Sequence, residues 1–248
     1  MKILDLIRYW LGIVPSWKKC RHASCWDGKN AARRMMNIMS PYFTDSKFKE
    51  YVKWMSDRGC DAAHFFLINT RDGEGAGYNC ATESAHAKLA VKRIAYLRKK
   101  GFGIVPWIVA DDSAAAAKDL FAHADERVKA LSEAGLFKYA SYVVLGLEMN
   151  EYGNSSNWNK VASALRKVWK GKTGVHHTSG NSFPFAGLAD IVLGQLEPSA
   201  ATVPAIEKQV VAIRNIGKYA VGFEYARSPD RRLAQAALDA GAIGCGNW

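Results

Sequence analysis

The sequence predicts an α/β chain folded as a compact (β/α)8 barrel, and three observations carry that prediction. Apolar runs of strand length alternate with amphipathic stretches of helical period from about residue 33 to the end, which implies parallel strands joined by helices. Eight such runs can be read, the number a closed barrel needs. The chain has 248 residues, ordinary for one barrel domain. The rival, an open doubly wound sheet, lacks its motif: no G-x-G-x-x-G follows the first strand, and no G-x-x-x-x-G-K-[ST] loop occurs.

The elements follow in order. Residues 33–40, RRMMNIMS, form the first candidate strand, and DSKFKEYVKWMSDRG the first helix, with Asp45 or Ser46 as cap and Gly59 as stop. The second strand covers 60–70, CDAAHFFLINT. A Gly-rich loop and the helix TESAHAKLAVKRIAYLRKKG lead to the third strand, 102–110. SAAAAKDLFAHADERVKALSEAG reads as one helix, YVVLGLEMN (142–150) as the fourth strand, and NWNKVASALRKVWKG as its helix. Strands five, six, seven and eight are expected at 173–179, 190–197, 219–226 and 242–248. Nothing follows the eighth strand, so its helix is missing. Ile3, Ile7, Trp10, Leu11 and Val14 recur at helical spacing, and this N-terminal helix is expected to pack on the outside near strands one and eight. The whole chain, 1–248, is read as one domain, with 1–32 as helix and lead-in.

Composition limits what the chain can be. Apolar residues make up 49% and charged residues 23%, a balance that suits a globular protein with a large core. Asp5 and Arg8 interrupt the first apolar run, so no signal peptide is recognised, no membrane span is expected, and the default location is cytoplasmic. A net charge of +11 favours an acidic partner, such as an anionic or cell-envelope glycan. The basic residues form only short clusters, so nucleic acid is not favoured. Five cysteines, Cys20, Cys25, Cys60, Cys80 and Cys245, form no C-x-x-C pair and are expected as free thiols. No ligand signature for a metal is present and no cofactor is called for.

The candidate site lies where the strands end. On the fourth strand Val143, Leu145, Leu147 and Met149 are expected to face the helices, leaving Val144, Gly146, Glu148 and Asn150 inward, with Glu151 at the edge. On the seventh, Ala220, Gly222 and Glu224 are expected inward. Both strands thus deliver carboxylates to the C-terminal mouth, where barrel enzymes keep their active sites. Two carboxylates across one mouth suit glycoside hydrolysis: one protonates the leaving oxygen, the other attacks the anomeric carbon or activates water. Supporting candidates are His64 on strand two, Trp107 with Asp111 and Asp112 at strand three, His176 or His177 at strand five, and Gln195 with Glu197 at strand six. Trp158, on the helix after strand four, reads as structural.

At these residues the sequence resembles clan A of the glycoside hydrolases, the retaining (β/α)8 group. MNEY supplies an Asn-Glu pair, Asn150-Glu151, ending strand four, and GFEYA supplies Glu224 ending strand seven, 73 residues on. The resemblance implies Glu151 as acid/base, Glu224 as nucleophile, Asn150 as a hydrogen-bond partner of the sugar 2-hydroxyl, and Trp248, at the end of strand eight, as a floor for the sugar ring. The chain departs from the Asn-Glu-Pro of cellulase-type members in having Tyr152, and Glu148 lies two residues before the Asn, so Glu148 competes with Glu151 as the acid. The alternatives are a non-catalytic carbohydrate-binding or structural barrel, and a basic nucleic-acid-associated protein.

Overall fold

A computed structural model describes residues 39–41, 43–57, 60, 62–69, 77–110, 114–178, 180–196, 200–223 and 231–246. Eight strands form one curled sheet, a half-barrel among the described residues: β1 (Ala62–Asn69), β2 (Tyr78–Asn79), β3 (Gly103–Val109), β4 (Val143–Gly146), β5 (Thr173–His177), β6 (Ile191–Gly194), β7 (Tyr219–Phe223) and β8 (Gly244–Gly246). The spatial order is β2-β1-β3-β4-β5-β6-β7-β8. Every neighbouring pair is parallel except β1 with β2. Seven helices join them: α1 (Asp45–Asp57), α2 (Ser84–Lys99), α3 (Ala114–Ala122), α4 (Ala124–Glu133), α5 (Ser155–Val168), α6 (Val203–Asn215) and α7 (Arg231–Asp239). The expected N-terminal helix and nearly all of the first expected strand lie outside the described residues.

Strands two to eight of the sequence reading are present, each shorter than its apolar run. β2 was not expected. It is a two-residue antiparallel addition that pairs Asn79 with Ile68 and Tyr78 with Asn69. The single helix expected between strands three and four is two, broken at His123 (φ −126°, ψ 36°). Arg127 Nε donates to Asp119 Oδ2 at 2.8 Å across that break. Eight residues of straight helix would set them about 12 Å apart along the axis, so the ion pair needs the bend. One cysteine also departs from expectation: Cys60 is disulfide-bonded, to a partner outside the described residues, whereas Cys80 and Cys245 are not.

The two faces of the sheet can be told apart by the contacts of one glycine. A Cβ on Gly194 would sit 2.6 Å from Gln209 Oε1 and 3.2 Å from Ile213 of α6, so this position faces the helix layer. Paired residues of a parallel sheet point the same way. Gly194 pairs with His177 and with Gly222, so those face the helices too. Leu193, His176 and Val221 pair on the opposite, inner face. The expectation that Ala220 and Gly222 line the lumen is therefore corrected: small residues there let α6 approach the sheet.

On the inner face a buried column runs across the sheet. The Trp107 indole Nε1 donates to His64 Nδ1 at 3.0 Å and packs edge-on to His176, with ring centroids 5.4 Å apart. Tyr142 meets His64 from the side.

β4 leaves this regular pattern. Val143 N donates to Lys172 O, beside β5, yet Leu147 N donates to Val109 O, on β3. Residues four apart in a regular strand donate to the same neighbour, so the chain slips by one residue between them, as at a bulge. Gly146 thereby faces α5, where a Cβ would lie 2.5 Å from Trp158 Cη2. Trp158 is fully buried and its Nε1 donates to Met149 O at 3.1 Å. Gly153, at φ 115°, lies against the same indole.

Candidate active site

Past β4 the chain slips a second time. Met149 N turns back to β5, donating to His176 O at 3.1 Å, and between the two slips Glu148 adopts φ 45°. That left-handed conformation is unusual for a side chain of this kind. Glu148 N donates to His176 Nδ1 at 2.9 Å, which fixes His176 as an acceptor at Nδ1 and puts its ring proton on Nε2. Burial and the neighbouring His177 and His64 hold the His176 imidazole well below the usual histidine range, so it stays neutral.

Beyond the slip, Asn150 and Glu151 are fastened to Thr178, one residue past the end of β5. Thr178 N donates to Asn150 Oδ1 at 2.9 Å, and Asn150 Nδ2 donates to Thr178 Oγ1 at 3.0 Å and to Thr178 O at 3.2 Å. The Thr178 hydroxyl in turn donates to Glu151 Oε1 at 2.7 Å. Glu151 N closes a turn onto Glu148 O at 2.9 Å. Thr178 is buried, whereas Glu151 and Asn150 are exposed. The result is a carboxylate held at the rim by a buried hydroxyl, with one face open to solvent. A group so placed can give a proton to, or take one from, a molecule lying over the strand ends.

The structure brings Asn150, Glu151 and Glu148 together and sets several other candidates apart from them. His64 stands two residues into β1, near the opposite end of its strand, and burial lowers its imidazole pKa to about 3. The Trp107 indole is 1% exposed and committed to His64, a core contact rather than a platform for a sugar. His177 is corrected as a sugar contact: it faces the helix layer, stacked on Phe185 with centroids 5.6 Å apart and edge-on to Phe183. Burial lowers its pKa to about 4. His176 occupies the inner-face position instead. Gln195 follows β6 directly, is 7% exposed, and its Oε1 finds no hydrogen-bond partner among the described residues. A buried amide oxygen left unmatched is costly, and it suits a ligand hydroxyl. Glu224, Trp248, Asp111, Asp112 and Glu197 lie outside the described residues.

Thr178 is the residue sequence reasoning missed. Its only signal was position, a hydroxyl one residue past a strand that adjoins the Asn-Glu pair. Among the described residues no group of three or more His, Cys, Asp or Glu could hold a metal ion, and no helix is long and apolar enough to cross a membrane.

The half-barrel and its rim define a class of architecture, and solved structures share it. No protein-family model matches the chain, and no curated protein sequence matches it. A β-1,4-mannanase of glycoside hydrolase family 113 superposes with a TM-score of 0.60 at 11% identity, covering 84% of each chain. The family 113 β-mannanase of Alicyclobacillus acidocaldarius superposes at 0.51 and 12% identity, covering 92% of this chain and 82% of that one. A family 5 glycoside hydrolase from Bacteroides vulgatus reaches 0.63 at 13% identity, covering 82% of this chain and 55% of that one. These are clan A glycoside hydrolases, and the resemblance to that clan holds at the level of the fold.

Proposed function

We propose that the protein is a retaining glycoside hydrolase with Glu151 as acid/base and Glu224 as nucleophile. The observation that carries this reading is the Asn150-Glu151 pair at the end of β4, pinned by Thr178 at the rim of a sheet whose solved likenesses are glycoside hydrolases. Glu151 gives its proton to the glycosidic oxygen as the bond to the anomeric carbon breaks, and that oxygen leaves with the electron pair. The Glu224 carboxylate bonds to the anomeric carbon. Water then displaces it, losing a proton to Glu151. Asn150 and Gln195 supply amide groups for sugar hydroxyls, and Trp248 supplies a ring face. No step calls for a cofactor.

Glu148 is the second candidate for the acid. Its left-handed backbone and half-buried side chain, directly before Met149 at the second slip, favour it.

Hydrolysis of aryl β-glycosides and β-mannosides with good and poor leaving groups tests the assignment. Glu151→Gln should lower turnover of poor leaving groups by about 10²–10⁴-fold and spare good ones in the first step, since these need no proton. Glu224→Gln should abolish both. The same selective loss of poor leaving groups in Glu148→Gln instead of Glu151→Gln transfers the acid role. Retention follows from the anomer first released, read by NMR. A wild-type chain that binds oligosaccharide but cleaves none of these substrates is a carbohydrate-binding barrel.

A further inference from the structure

Immediately after Glu151 the chain enters the wall of a groove between α3 and α5. Lys118, Phe121, Tyr152, Gly153, Asn157 and Lys160 line a cavity of about 460 Å³ there. It continues past Phe121 and Lys160 into a second of about 770 Å³ along α5. The volumes are those of spaces that hold several sugar-sized groups.

The charges in this groove are unevenly matched. Among the described residues the acids of α3 and α4 beside the groove are engaged: Asp119 with Arg127 at 2.8 Å, Glu126 with Arg127 at 2.7 Å, and Asp125 with Lys167 at 2.7 Å. Lys118, Lys160 and the Asn157 amide make no side-chain hydrogen bond or ion pair with any described residue. Two cations and an amide therefore line one cavity with no anion among the described residues paired to them. Tyr152 and Phe121, both half-buried, add apolar surface between them.

We propose that this groove binds a carboxylate-bearing stretch of polysaccharide, on the leaving-group side of the scissile bond. The side follows from the reading of Glu151 as the acid, on which this part rests: the group that protonates the leaving oxygen stands beside the sugars that depart with it. Tyr152 and Gly153 continue from that acid into the groove wall. The carboxylates pair with Lys118 and Lys160, and Asn157 donates to a hydroxyl or carboxylate oxygen.

The test is calorimetric titration of the full chain with an oligogalacturonate, a neutral manno-oligosaccharide and a duplex DNA, at low and moderate salt. The wild type should bind the oligogalacturonate, more weakly as salt rises. Lys118→Ala/Lys160→Ala, checked for native circular dichroism, should bind it about tenfold more weakly and bind the neutral sugar unchanged. Equal affinity in the double variant overturns the proposal. DNA binding that is tighter than oligogalacturonate binding, and lost in the same variant, overturns it in favour of nucleic acid. Lysine-dependent binding of the oligogalacturonate by a wild type that cleaves no glycoside supports the groove and overturns the glycosidase reading instead.

Discussion

Two regions of the sheet are both built from chemically capable residues and behave oppositely. The inner column of Trp107, His64 and His176 is drawn out of water, and burial keeps its imidazoles neutral. The rim of Asn150, Glu151 and Thr178 keeps a carboxylate in solvent and spends its polar atoms on a reciprocal set of hydrogen bonds. The column acts by filling space, and the rim by holding one group in one place. Residue identity alone does not separate the two. Burial and polar partnering do.

Four measurements would break or sharpen that contrast. Trp107→Ala empties the column and should lower unfolding free energy by about 3–5 kcal/mol, while the folded fraction keeps its activity. Denaturant melts read the first effect and kcat normalised to folded protein reads the second. A loss of kcat with unchanged stability would move Trp107 to the rim.

Acid should act through the buried imidazoles, in the column and on the helix side alike. His177, on the helix side, has its pKa lowered from the ordinary 6.5 to about 4, and His64 to about 3. The unfolded chain therefore takes up protons first. Stability is full above pH 6.5 and falls as pH drops toward 4, by on the order of 3 kcal/mol for a group shifted this far. His177→Phe should flatten that slope in urea melts at pH 7 and pH 4.5. An unchanged slope would mean that His177 titrates normally.

Gly146→Ala places a Cβ against the Trp158 indole at the slip in β4 and should cost about 1–3 kcal/mol, read as a lower melting temperature. The smallest effect is expected at Thr178→Val, which keeps the shape and removes the hydroxyl that holds Glu151. Activity should fall about tenfold with a change in stability of about 1–2 kcal/mol, because the hydroxyl's bonds to Glu151 and Asn150 are lost while Asn150 keeps its bonds to the Thr178 backbone. A change confined to stability would place Thr178 with the column.

Much of this was legible from the sequence. The runs around Phe65, Val105, Val144, Val175 and Val192 became β1, β3, β4, β5 and β6, because each is a short apolar segment bounded by polar or glycine residues. The Asn150-Glu151 pair, expected to close its strand, stands beyond it, because β4 stops at Gly146. What was not legible depends on partners distant in sequence. The two slips around Gly146 and Glu148 are set by hydrogen bonds to β3 and β5, so alternation could not assign the faces beyond Val144. His177 and Gly222 turn toward α6 because of register across β6, which no single strand encodes. The break at His123 brings Arg127 to Asp119, a contact between two helical segments, and the cross-link at Cys60 joins a residue elsewhere in the chain.

Among the described residues, apart from the Trp158 indole that donates to Met149 O, the hydrogen bonds that tie residues 148–151 to another element go to residues 176–178, and none goes to β3. The Glu151 carboxylate, the acid of the proposed reaction, is thus tied to β5 rather than to the strand that carries it in sequence. Amide hydrogens of the two segments should exchange with solvent as one cooperative unit, and a ligand that stiffens either should slow exchange in both.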